Sequence, residues 1–73
     1  MDDNKLTKHS ITLQGHQTSV TLENIFWQSL KEIAENQNKT IKQLIEEIDE
    51  SRTGNLSSAI RVYIIQHIKN NSK

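Results

Sequence analysis

Three histidines, nine carboxylates and several serines are the side chains here that could support acid–base, metal or nucleophilic chemistry. Their spacing argues against all three. His9, His16 and His67 include no pair at the i, i+4 helical spacing of a metal site, and there is no cysteine to help them. His9 and His16 lie seven apart in extended chain, so a regular strand points them to opposite faces. Ser10, Ser19, Ser57 and Ser58 sit in no nucleophile-elbow context. Gly15 and Gly54 are the two glycines, too few for a phosphate-cradling loop. The carboxylates Glu46, Glu47, Asp49 and Glu50 fall on one side of an amphipathic pattern, the ordinary place for solvated charge. No enzyme, no metal and no cofactor is expected.

Hydrogen bonding without catalysis remains. In "TSVTL", Thr18 to Leu22, Val20 and Leu22 share one face of a β-strand. Gln17, Ser19 and Thr21 share the other. Those three are donors and acceptors without charge. An amide can bridge the adenine edge, and a hydroxyl can bond several base edges, if a two-stranded ribbon places them in the DNA major groove. A solvent-facing strand side also commonly carries Gln, Ser and Thr, and that is the plainer reading.

The elements that must position them are short. Residues 1–7 are polar and aperiodic and read as a disordered arm. "SITL", Ser10 to Leu13, alternates weakly, and Gly15 after it suggests a bend or bulge. Helix one is expected over about Glu23 to Asn36, with Phe26, Leu30, Ile33 and Ala34 as its apolar stripe. Thr21 or the next residue would cap it. Asn38 is placed for a left-handed C-cap. Thr40 and Gln43 have capping-box spacing ahead of a helix from Ile41 to Ser51, whose apolar face is Ile41, Leu44, Ile45 and Ile48. A third helix, about Leu56 to Lys69 with Asn55 as cap, carries Leu56, Ile60, Tyr63, Ile64 and Ile68 on one side. Val62 and Ile65 form a second stripe, so cover on more than one side is expected. Residues 8–70 then form one domain, and 71–73 a frayed tail.

Size and charge narrow the partners. A chain of 73 residues without cysteine lacks the staples that small domains use, which favours oligomerisation. A lone strand also needs a partner for its backbone groups. The expected answer is a homodimer, or a higher even oligomer, in which two copies of Thr18–Leu22 pair antiparallel. Nine basic residues balance nine acidic ones, with seven of the acids between residues 23 and 54. No apolar run nears the roughly 18–20 residues of a membrane span, and the acidic start "MDDNKLTKHS" is unlike a secretory leader. A cytoplasmic protein is expected, with no membrane partner.

The stretch "TSVTLENIFWQSLKEIAENQNKTIKQLIEEI", Thr18 to Ile48, resembles the ribbon-helix-helix DNA-binding family of the Arc/MetJ/CopG superfamily. "KHSITLQGHQTSVTLE", "LKEIA" and "NLSSAIRVYIIQHI" are more narrowly similar to a short bacterial branch of it. The resemblance implies a mainly α fold with one β-strand: a dimer joined by an intermolecular two-stranded antiparallel ribbon, plus an extra C-terminal helix. It implies sequence-specific binding of double-stranded DNA and transcription regulation, as a repressor. Gln17, Ser19 and Thr21 would contact bases. Lys39, Thr40, Ile41 and Lys42 would hold a phosphate at a helix N-terminus, a natural anion site. The dimer core would be Val20, Leu22, Phe26, Leu30, Ile33, Ile41, Leu44, Ile45 and Ile48. Gln17 departs from the branch, which often has arginine there. The other readings are an antitoxin that grips a protein partner through its C-terminal helix, and a helical dimerisation module without DNA. "SSAIRVYIIQHI" also resembles a second family helix, so helix 41–51 and helix 56–69 compete for that part.

Overall fold

The computed structural model describes residues 4–71. Two strands, β1 (Leu6–Leu13) and β2 (His16–Glu23), precede three helices, α1 (Asn24–Asn36), α2 (Ile41–Ser51) and α3 (Leu56–Asn71). The mainly helical plan with a leading ribbon is the expected one. The ribbon differs from expectation in that β2 is not alone. It pairs antiparallel with β1 from Leu6↔Glu23 to Leu13↔His16, so a hairpin closes within one chain. Strand β1 also begins at Leu6, inside the segment expected as an arm, while residues 1–3 lie outside the described residues.

Two local causes explain the hairpin. Gln14 and Gly15 both have positive φ, 52° and 83°, as the two central positions of a type I′ turn require. Gly15 therefore turns the chain rather than bulging it. In β1 the inward positions are Thr7, His9, Ile11 and Leu13, and the outward ones are Leu6, Lys8, Ser10 and Thr12. Two polar residues face in and one apolar residue faces out, which is why the alternation is faint in sequence.

The start of β1 also fastens α1. The Asn24 N–H, which has no acceptor within the helix, donates to the Lys5 carbonyl at 2.9 Å, and the Thr7 hydroxyl donates to Asn24 Oδ1 at 2.8 Å. Thr21 is no cap, because it stays in β2. Glu23 is the N-cap residue and makes no side-chain cap bond, so helix α1 starts one residue later than expected. At the other end Asn38 takes φ 58°, and the Lys39 and Asn38 N–H groups donate to the Ala34 and Glu35 carbonyls. That is a Schellman ending. The Thr40–Gln43 capping box starts α2 as expected, and Asn55 Oδ1 accepts from the Ser58 N–H at 3.2 Å to start α3.

All five elements feed one core: Leu13, Val20, Leu22, Leu30, Ile33, Ala34, Leu44, Ile45, Ile48, Ile60 and Ile64. Fully burying one such leucine or isoleucine stabilises by about 1.5–3 kcal/mol. Seven of the nine residues expected in a dimer core are thus buried within a single chain, and Phe26 and Ile41 pack partly buried against them. Among the described side chains of α3 only Ile60 and Ile64 are buried. Ile68, expected on the same face, is 49% exposed, and Val62 and Ile65 are 54% and 46% exposed.

Candidate nucleic-acid interface

The hairpin has two unlike faces. Thr7, His9, Ile11 and Leu13 with Leu22, Val20, Thr18 and His16 form the face toward the helices. The other face carries Leu6↔Glu23 at its end and, beyond it, the pairs formed by six polar residues, Lys8↔Thr21, Ser10↔Ser19 and Thr12↔Gln17. All six of those side chains are exposed. Gln17, Ser19 and Thr21 therefore stand in a row on one surface. Lys8, Ser10 and Thr12 stand beside them, and sequence reasoning misses these three because β1 alternates too weakly to read as a full strand. The two-residue spacing across Gln14–Gly15 is the signal that could have found it.

Charge fixes one end of this face, and stacking fixes the face beneath it. Glu23, opposite Leu6, accepts from Arg61 Nε at 3.0 Å, and the Arg61 guanidinium lies 5.9 Å from the Phe26 ring centre. A bond from its own backbone N–H, then the Arg61 bond, holds the Glu23 carboxyl below its ordinary range. Beneath the sheet, His9 stacks on Trp27 with ring centres 3.6 Å apart and planes 7° from parallel. His9 Nε2 is buried without a hydrogen-bond partner, and burial pushes the imidazole pKa down.

The expected phosphate-holding residues lie apart from this row. The Thr40 hydroxyl accepts from the Gln43 N–H at 3.0 Å, and Gln43 Oε1 accepts from the Thr40 N–H at 2.9 Å. Ile41 and Lys42 then hold the first-turn N–H groups that lack an acceptor within the helix. Lys39 Nζ is drawn onto the Glu47 carboxylate at 2.6 Å, whereas the Lys42 side chain is exposed. It is the other end of α2, at Asp49 and Arg52, that lines a groove with Leu13, His16, Thr18 and Ser19. The Lys39–Lys42 turn sits about one helix length from that groove, roughly 16 Å for eleven residues.

Among the described residues no cluster of three metal-binding side chains occurs, and no helix is long and apolar enough to cross a membrane. Among curated proteins, none matches the chain. The solved structure of an uncharacterized protein from Bordetella pertussis Tohama I is similar at 30% identity and a TM-score of 0.79. The similarity covers 90% of this chain and 58% of that one, so this chain spans little more than half its length. The family model of the ribbon-helix-helix domain matches residues 6–68. Domains of that kind generally dimerise and bind DNA, and are typically non-enzymatic. The match runs through both strands and nearly all of α3, and the chain belongs to the ribbon-helix-helix domain family.

Proposed function

We propose that the protein is a homodimeric, sequence-specific DNA-binding regulator of transcription that lays its ribbon in the major groove. The observation that carries this reading is the row of exposed Gln17, Ser19 and Thr21 on a two-stranded ribbon. These groups have no packing role, and their chemistry is that of base edges. The first turn of α2 adds a phosphate contact: the Ile41 and Lys42 N–H groups supply the donors and Lys42 the free charge. Lys39 contributes less, because Glu47 already neutralises it.

The test is duplex binding titrated with salt. Affinity should fall with salt at a slope near −0.9 per phosphate contacted. Ser19→Ala with Thr21→Ala should weaken binding to a selected duplex by about 1–3 kcal/mol per lost base contact and leave random duplex bound as before. Lys42→Ala should weaken all sequences alike. No binding to any duplex at low salt sinks the proposal.

One observation favours a second reading, the antitoxin. Val62, Ile65 and Ile68 leave a half-exposed apolar stripe on α3 where a protein partner could seat. A second copy of this chain would cover the same stripe, and the two are separated by oligomeric state.

A further inference from the structure

We infer that Glu47 is a positioning residue for DNA binding: it holds the Lys39 ammonium away from the first turn of α2, and the DNA backbone must take Lys39 from it. This rests on the DNA-binding reading above and deepens it. It concerns the phosphate contact and leaves base reading to the strands.

Local structure places the pair. Asn38 takes φ 58° and the Lys39 N–H donates to the Ala34 carbonyl at 2.9 Å, so the end of α1 fixes the Lys39 backbone. Thr40 follows as the N-cap of α2, locked to Gln43 by the capping box. Glu47 is four residues beyond Gln43 and therefore lies on the same face of the helix. Helical side chains lean toward the N-terminus, so Glu47 reaches back toward the cap. Lys39 Nζ meets both of its oxygens, 2.8 Å from Oε1 and 2.6 Å from Oε2.

That contact turns Lys39 the wrong way for a phosphate. The Gln43 and Leu44 N–H groups are taken by Thr40, so the open donors of the first turn are those of Ile41 and Lys42. Glu47 stands six residues past Ile41, roughly 9 Å along the axis. An anion at the helix start therefore meets a lysine whose charge points down the helix and is neutralised there. Lys42 differs. It is exposed and makes no ion pair among the described residues.

Magnitude decides what kind of control this is. The Lys39 and Glu47 side chains are 32% and 53% exposed, and ion pairs in contact with water are weak. A phosphate can displace Glu47, so the pair damps binding and does not block it. The effect belongs to Glu47 and not to the acidity of α2 at large, because Glu46 and Glu50 make no ion pair among the described residues.

The experiment measures binding of the full chain to a random-sequence duplex across a salt titration, so that backbone contacts alone are read. Five proteins are compared: wild type, Glu47→Gln, Glu50→Gln, Lys39→Ala, and Lys39→Ala with Glu47→Gln. Glu50→Gln removes the same charge from α2 without touching Lys39, and is the baseline for Glu47→Gln. None of the three side chains is in the core, so circular dichroism and melting should match wild type. The expected result is that Glu47→Gln binds tighter than Glu50→Gln by about two- to fivefold per chain, with a salt slope steeper by up to about 0.9 per chain. Lys39→Ala should cost more in the Glu47→Gln background than in wild type, because only there is Lys39 free. If Glu47→Gln binds no tighter than Glu50→Gln, or Lys39→Ala costs the same in both backgrounds, the inference is overturned with the DNA-binding reading intact. If neither wild type nor Glu47→Gln binds any duplex at low salt, the DNA-binding reading falls and this inference with it.

Discussion

His9 shows how one residue can escape sequence reasoning and still matter. In the sequence it is a lone histidine with no metal partner. In the fold it is the inward β1 residue opposite Val20, stacked on Trp27 with Nε2 buried and unpaired. A protonated imidazole over an indole gains about 0.5–1 kcal/mol of cation–π attraction at an exposed site. A buried donor without an acceptor costs about 1–3 kcal/mol, so burial wins and the neutral form is preferred. The folded pKa therefore lies below the unfolded value of 6.5. Between those two values the unfolded chain binds more protons, so this contribution to stability is complete above pH 6.5 and declines as the pH falls toward the folded pKa. The urea midpoint of the wild type should thus drop from about pH 7.5 to about pH 5.5. His9→Phe keeps a ring on Trp27 and cannot titrate, and its midpoint should drop less. Equal drops in the two proteins would remove His9 as the cause. Glu23 acts at lower pH. Its depressed pKa adds stability that is present above 4.5 and lost as the pH falls through the folded value.

At the scale of elements, the Gln14–Gly15 turn decides whether β2 has a partner in its own chain. Gly15 has φ 83° and nothing within 4 Å of where a Cβ would stand. Gly15→Ala should therefore destabilise through backbone conformation alone, by about 1 kcal/mol. Gln14 has φ 52°, which asparagine tolerates better, so Gln14→Asn should stabilise by a few tenths of a kcal/mol. Opposite signs at neighbouring positions, read by urea unfolding, would be the mark of a type I′ turn. A bulge would not produce them. The helices were legible because each obeys a local rule. Thr40 and Gln43 form their capping box, Asn38 takes its left-handed φ, and Leu44, Ile45 and Ile48 are buried where the 3.6-residue period puts them. The row Gln17, Ser19 and Thr21 was legible for the same reason, since a period of two is also local. β1 was not legible because its inward residues Thr7 and His9 are polar and are chosen by tertiary partners, Asn24 and Trp27. On α3 the period misplaces Ile68. It lies beyond the span that the other elements cover, although its spacing matches Ile60 and Ile64.

For the whole molecule, the reason to expect a second copy has moved. A lone strand and a small core suggested that one chain could not satisfy itself. Yet the hairpin pairs its own backbone, and eleven apolar residues close a core within one chain. The case for a dimer now rests on the family and on what that core leaves outside. Val62, Ile65 and Ile68 run along one side of α3 at 46–54% exposure, an apolar stripe of the kind that marks an interface. Substituting Val62→Asp together with Ile65→Asp tests this directly. Within one chain both side chains already touch water, so the fold should lose no more than about 0.5 kcal/mol per site. Across an interface, each carboxylate would be buried without a partner, which costs far more. Sedimentation should then give twice the 8.4 kDa chain mass for the wild type and the single chain mass for the variant, with helical content kept. The melting temperature should rise with protein concentration for the wild type only, because association stabilises the folded state by mass action. A variant that stays dimeric would put the interface elsewhere and leave the α3 stripe to a different protein, as the antitoxin reading requires. A wild type that is a folded monomer at every concentration would overturn the homodimer.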